Sequence, residues 1–212
     1  MKSMMTMLNA GAGLKAAAGL ATLTLVLASC GSGVTPDGSG SVNVYDLKTE
    51  YRTQDGTYVA CDNTSLQNGS VTNVTNVAVS FSLAGSVTSV DVGLRGVTTP
   101  QYDGNYNATV TANQLADLGG NKFKTVFKAN SVNSQFLPQS LRPQGIVINP
   151  AQVSIKTVNA FNRQMTYGPG AFFASVTVQT TTGATGSGNT RFLTTIPVYS
   201  SCNVLNDTGL TL

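Results

Sequence analysis

The chain contains no histidine and no tryptophan, and charged residues make up only 10% of it. Without histidine it lacks the commonest general base near neutral pH and the commonest metal ligand. A Ser-His-Asp or Cys-His catalytic site is therefore excluded, and so are histidine-ligated zinc and copper centres. Ordinary soluble proteins carry about 25% charged residues, so the surface of this one must be built from Thr, Ser, Asn, Gln and Gly. The formal net charge is +3 and the basic residues form no stripe, which argues against a nucleic-acid partner. Lys122, Lys124 and Lys128 share a strand face by their even spacing, which reads as a solvated face. Asp-rich calcium loops and the lysine-bearing glycine loop of phosphate binders are missing as well. Of five Asn-X-Ser/Thr sequons, at Asn63, Asn68, Asn73, Asn107 and Asn206, none demands more than the richness in Asn and Thr. The apolar run from Ala16 to Ala28 is too short to span a bilayer, which takes about 20 residues.

What the chain does have is period-two alternation. Val77, Val79, Phe81 and Leu83 alternate with Ala78, Ser80 and Ser82, and Val90, Val92 and Leu94 with Asp91 and Gly93. Phe123, Thr125 and Phe127 alternate with the three lysines, Phe172 to Val178 with Ser175 and Thr177, and Phe192, Thr194, Ile196 and Val198 continue the pattern. Such alternation puts one set of side chains on a core face and the other in solvent. Helical periodicity is nearly absent; one short helix is expected near 114–118, with Asn113 as its N-cap and Gly119 as its stop. Asp55-Gly56 and Asp103-Gly104 predict tight hairpins with positive φ at both central positions. Gly183 to Gly188 predicts a looser hairpin, and Pro138, Pro143 and Pro150 predict an extended loop or edge between Phe127 and Val153. Many short strands punctuated in this way indicate an all-β, antiparallel sandwich of one domain, over residues 42–212. By pattern alone it resembles the immunoglobulin-like and fibronectin type III architecture, although the buried tryptophan of antibody domains is missing.

The N-terminus carries an address. Lys2 and Lys15 precede the apolar stretch, which ends in Leu27 and the small residues Ala28-Ser29, followed by Cys30 and Gly31. This is the layout of a secretory signal over residues 1–29. The cysteine directly after the small residues resembles the lipobox of bacterial lipoproteins. That resemblance implies cleavage before Cys30 and its acylation with chains such as palmitate. Gly31-Ser32 lacks the aspartate that retains such proteins at the inner membrane, which implies the outer membrane. Each buried CH₂ contributes about 0.8 kcal/mol, so several acyl chains anchor firmly. Residues 30–41, rich in Gly and Ser, read as the acylated residue and a flexible tether. Outside the cytoplasm the two remaining cysteines, Cys61 and Cys202, are expected to form a disulfide.

The expected function is that of a lipid-anchored envelope lipoprotein, a non-enzymatic structural or docking subunit of a cell-surface or outer-membrane complex of surface-layer type. The partners expected are the membrane, through the anchor, and an envelope protein; no cofactor is expected. The alternative is a glycan- or small-ligand-binding module that uses the tyrosines at the Asp-Gly turns, Tyr58, Tyr102 and Tyr106, with Tyr45 and Tyr51 nearby. An enzyme is the least favoured reading. A sandwich like that of superoxide dismutases would need the absent imidazoles. Asp55, Asp62, Asp103, Asp117 and Asp207 sit in turn-like contexts, where aspartate usually satisfies its own backbone.

Overall fold

Alternating apolar residues can bury one face only by pairing into sheets that pack on each other. A computed structural model describes residues 31–97, 107–110, 115–131, 141–147, 153–163 and 170–212, and in it they do so. The strands are β1 (Ser32–Val34), β2 (Gly40–Thr49), β3 (Tyr51–Arg52), β4 (Tyr58–Ser65), β5 (Val71–Thr72), β6 (Val74–Gly85), β7 (Val87–Gly96) and β8 (Asn107–Val110). They continue as β9 (Ala116–Gly119), β10 (Lys122–Ser131), β11 (Leu141–Val147), β12 (Ser154–Arg163), β13 (Ala171–Thr180), β14 (Thr185–Asn189) and β15 (Ile196–Thr211). One sheet runs β1-β2-β6-β10-β11, with β9 beside β10. The other runs β5-β4-β3-β12-β15-β13-β7-β8, with β14 beside β13.

The main core lies between the sheets. Val42, Val44, Leu47, Val77, Val79 and Phe81 of the first sheet meet Val90, Val92, Leu94, Phe172, Val176 and Ile196 of the second, all buried. The inward parity of β2 changes between Val44 and Leu47, because a bulge shifts its register against β6 between Val44 and Asp46. The fold is thus the expected all-β sandwich, with two departures. The pairs β3–β12 and β4–β15 are parallel, and the β4–β15 pairing closes β4, β3, β12 and β15 into a ring. The ring encloses its own small core of Tyr51, Val59, Cys61, Val158 and Cys202.

The helix expected near 114–118 is absent in its described part. Ala116–Gly119 is strand β9, paired antiparallel with β10, and no helix occurs among the described residues. Gly119, Gly120 and Asn121 all have positive φ, so Gly119, expected as the helix stop, instead opens a hairpin turn. Asn113 and Gln114 lie outside the described residues.

The hairpin at Asp55-Gly56 is present, but it is not the two-residue kind. Gly56 N–H donates to Thr53 O at 2.9 Å, Thr53 N–H to Thr57 O at 2.9 Å, and only Gly56 has positive φ. This is a type I turn closed by a left-handed glycine. Leu66–Ser70 and Thr180–Ala184 repeat it, with Gly69 and Gly183 in the same conformation. Gly183 accordingly belongs to the β13–β14 turn, while Gly186 and Gly188 lie within β14. The Asp103-Gly104 turn lies outside the described residues. Pro143 does fall on an edge strand, β11, a position in a sheet that tolerates proline, while Pro138 and Pro150 lie outside the described residues.

The segment read as a tether is folded. Ser32, Gly33 and Val34 pair with Asn43, Val42 and Ser41, and Val44 N–H donates to Gly31 O at 2.8 Å. Thr35 is buried, its hydroxyl bonded to Gly40 O at 3.1 Å. Glycine here permits close approach rather than freedom, because β1 lies backbone-to-backbone against β14.

Candidate functional site

A buried polar cluster forms where the chain leaves the first sheet for the second. Glu50 follows β2 and is only 5% exposed. Its backbone stitches the layers: Glu50 N–H donates to Asn76 O at 3.0 Å, and Lys156 N–H donates to Glu50 O at 2.7 Å. Its Oε1 accepts the Asn76 backbone N–H at 2.7 Å and Asn76 Nδ2 at 2.8 Å, and its Oε2 accepts Lys156 Nζ at 2.8 Å. The ammonium also lies 5.9 Å from the Tyr51 ring centroid. Tyr51 is buried and donates its hydroxyl to Val74 O at 3.2 Å; burial, with the nearby Glu50 carboxylate, pushes its phenol well above the usual range.

Two open clefts flank Lys156. One, of about 290 Å³, is lined by Glu50, Tyr51, Leu66, Thr72, Val74 and Lys128 among others. The second, of about 250 Å³, is lined by Leu66, Gln67, Asn68, Val204 and Asp207 besides Lys156. The Asp207 carboxyl is held below its ordinary value by the Ser154 hydroxyl and the Gly209 N–H. Both oxygens of Glu50 are occupied by donors of the protein itself, so the cluster works as a clamp between the sheets. Among the described residues no group of three or more Cys, Asp or Glu side chains is placed to hold a metal ion.

Replacing Lys156 by methionine should test the clamp. Removing one partner of a buried pair leaves a carboxylate without its counter-charge, at about 3–5 kcal/mol when burial is complete. The Lys156 side chain is 25% exposed, so water replaces part of the loss. The expected cost is about 1–2 kcal/mol, read as a lower urea midpoint, and Glu50→Gln in the same background should restore part of it.

The residues singled out in the sequence are not gathered into one site. Cys30, Tyr102 and Tyr106 lie outside the described residues, as does Asp103. Tyr58 is half-buried and packs on the main core. Tyr51 is core, and Tyr45 is exposed, so the first Asp-Gly turn carries no exposed tyrosine patch. Asp55, Asp117 and Asp207 accept backbone N–H groups two residues on, from Thr57, Gly119 and Gly209 at 3.3, 2.8 and 2.9 Å. Asp62 departs from its turn-like reading: it is buried within β4. Lys122 and Lys128 are exposed and Lys124 half-buried, as on a solvated face. Cys61 and Cys202 form the expected disulfide, with Cα atoms 5.9 Å apart, between the parallel neighbours β4 and β15.

Phe192 and Thr194 were expected to continue the alternation into Ile196 and Val198, and they do not. The strand begins only at Ile196. Before it, Leu193 N–H and Thr194 N–H both donate to Thr190 O, at 2.9 and 2.8 Å, making a tight turn. Thr190 is buried, and its hydroxyl accepts Ala174 N–H at 3.0 Å, which pins the turn to β13. Phe192 is left 77% exposed and Leu193 50% exposed. Arg191 places its guanidinium carbon 5.8 Å from the ring centroids of both Phe173 and Phe192. The turn adjoins the first described residue: a Cβ built on Gly31 would lie 2.9 Å from Leu193 Cδ1. Sequence reasoning missed this feature because Phe192 fits the alternation. Comparison with protein-family models, curated proteins and solved structures gave no significant match.

Proposed function

We propose that the chain is a lipid-anchored envelope lipoprotein that serves as a non-enzymatic structural or docking subunit of a cell-surface or outer-membrane complex. The observation that carries the reading is Leu27-Ala28-Ser29-Cys30 at the end of the apolar leader. It is supported by the disulfide, which suits an oxidising compartment. The internal engagement of Glu50, Asp55, Asp117 and Asp207 adds support. The glycan-binding alternative has less behind it, because Tyr51 and Tyr58 are spent on packing. Mass spectrometry of the N-terminal peptide should find an acylated Cys30, and Cys30→Ser should move the protein from the membrane fraction or leave the leader uncleaved. A pull-down from detergent-solubilised envelope should recover a stoichiometric partner. Recovery of the protein alone would remove the docking role.

A further inference from the structure

We propose that the 190–194 turn seats in the headgroup region of a phospholipid bilayer, with Phe192 and Leu193 entering the lipid and Arg191 meeting anionic headgroups. This rests on the lipoprotein reading and specifies how the domain meets its membrane. Gly31 is fixed in the fold by its bond to Val44 and by β14, where a Cβ on Gly188 would lie 2.2 Å from Gly31 O. Residue 30 is one peptide unit away, about 3.8 Å between Cα atoms. With residues 31–41 folded, no slack separates an acyl chain on Cys30 from the sheet. The protein surface around Gly31 must then lie against the bilayer, and the nearest side chain beyond the neighbouring strands is Leu193.

The chemistry of the turn matches that position. A single exposed phenylalanine is unremarkable on a surface, but here Phe192 and Leu193 project together beside the anchor point. The Arg191 guanidinium lies 5.8 Å from the ring centroids of both the exposed Phe192 and the buried Phe173, and its Nη2 donates to Val97 O at 3.4 Å, so its charge is held beside the fold behind Phe192. Apolar tip outward and cation behind it is the arrangement that lets a side chain enter acyl chains while its neighbour meets phosphate. The other end of β14 is of opposite character. There Asp37 accepts the Ser39 and Thr182 hydroxyls at 2.7 and 2.6 Å, and Thr181 N–H donates to Ser86 O, lacing two hairpin tips and the β6–β7 crossover into a polar end. β14 therefore has a lipid-compatible end beside Gly31 and a hydrophilic end facing away.

Because the chain has no tryptophan, a single Phe192→Trp substitution gives an unambiguous fluorescence reporter. The full-length protein, purified from membranes, would be reconstituted into phosphatidylethanolamine–phosphatidylglycerol vesicles, with Thr181→Trp as the distal control. Emission from Trp at 192 should shift to the blue and lose most of its intensity when the lipids are brominated near the headgroup, while Trp at 181 stays unquenched. Adding Arg191→Glu should weaken the quenching in phosphatidylglycerol vesicles and leave it unchanged in phosphatidylcholine alone. An acylated, vesicle-bound protein in which Trp at 192 is as unquenched as Trp at 181 overturns this inference and leaves the lipoprotein reading intact. A blue shift of Trp at 192 only on adding solubilised envelope protein overturns it in favour of a protein partner. A non-acylated chain that does not float with vesicles overturns both.

Discussion

Reduction of the Cys61–Cys202 bond should lower the melting temperature by roughly 5–20 °C, the span that about 2–5 kcal/mol produces in a protein of this size. The two cysteines are 141 residues apart. In the chain-entropy model a loop of that length gives about 5 kcal/mol, and native disulfides typically deliver somewhat less. Location argues for the upper half of the range. Both cysteines are fully buried in the ring core with Tyr51, Val59 and Val158, and few other large side chains support that core. The bond also joins the two strands whose parallel pairing closes the ring, and parallel pairs are slightly weaker per residue than antiparallel ones. The check is calorimetry with and without reductant, thiol content being measured afterwards, together with the Cys61→Ala, Cys202→Ala double variant. An unchanged transition after verified reduction would show that the ring is held by β12 and β3 rather than by the bridge.

Where the two sheets make their core, period two was sufficient: Val77, Val79, Phe81, Val90, Val92, Leu94, Phe172, Val176 and Val178 were readable as inward residues and are buried. The reading failed where a residue's fate depends on a partner far along the chain. Thr35, Thr49, Thr180 and Thr190 count as surface by composition, yet they are buried. Thr49 shows why: its hydroxyl donates to Val59 O at 2.6 Å, and satisfied in this way a threonine packs like valine. Glu50 belongs to no motif, and nothing in sequence distinguishes a clamp carboxylate from a surface one until Asn76 and Lys156 are brought beside it. Phe192 obeys the alternation and still leaves the sheet, because Thr190 caps Ala174 and turns the chain first. The surface beside residue 31 was invisible for the same reason, since it joins residue 31 to residue 193.

Glycine was the most misleading residue, and Gly33→Ala is the substitution that exposes why. In a flexible tether the change would be neutral or slightly stabilising, by restricting the unfolded chain. In the fold a Cβ on Gly33 would lie 1.9 Å from Ser187 O and 2.3 Å from Ser187 C, which are backbone atoms that cannot swing aside. Gly186 and Gly188 approach from the other side, with Cβ positions 3.0 Å from Thr35 N and 2.2 Å from Gly31 O. The glycines of the two Gly/Ser-rich stretches thus let β1, the edge of the first sheet, lie against β14 of the second. One methyl group must push these strands apart. Overpacking ordinarily costs about 1–3 kcal/mol, and a rigid backbone neighbour places this case at or above the top of that range. Gly69→Ala is the comparison: it meets open space and costs only the strain of its positive φ, about 1 kcal/mol. The expected order is therefore Gly33→Ala well below Gly69→Ala, which in turn lies slightly below the parent, in urea midpoint or melting temperature. Parting β1 from β14 also uncovers strand edges, so Gly33→Ala should aggregate at concentrations where Gly69→Ala stays soluble. Equal stabilities for the two variants would mean that β1 does not rest on β14, and the direct seating of residue 31 on the fold would fall with it.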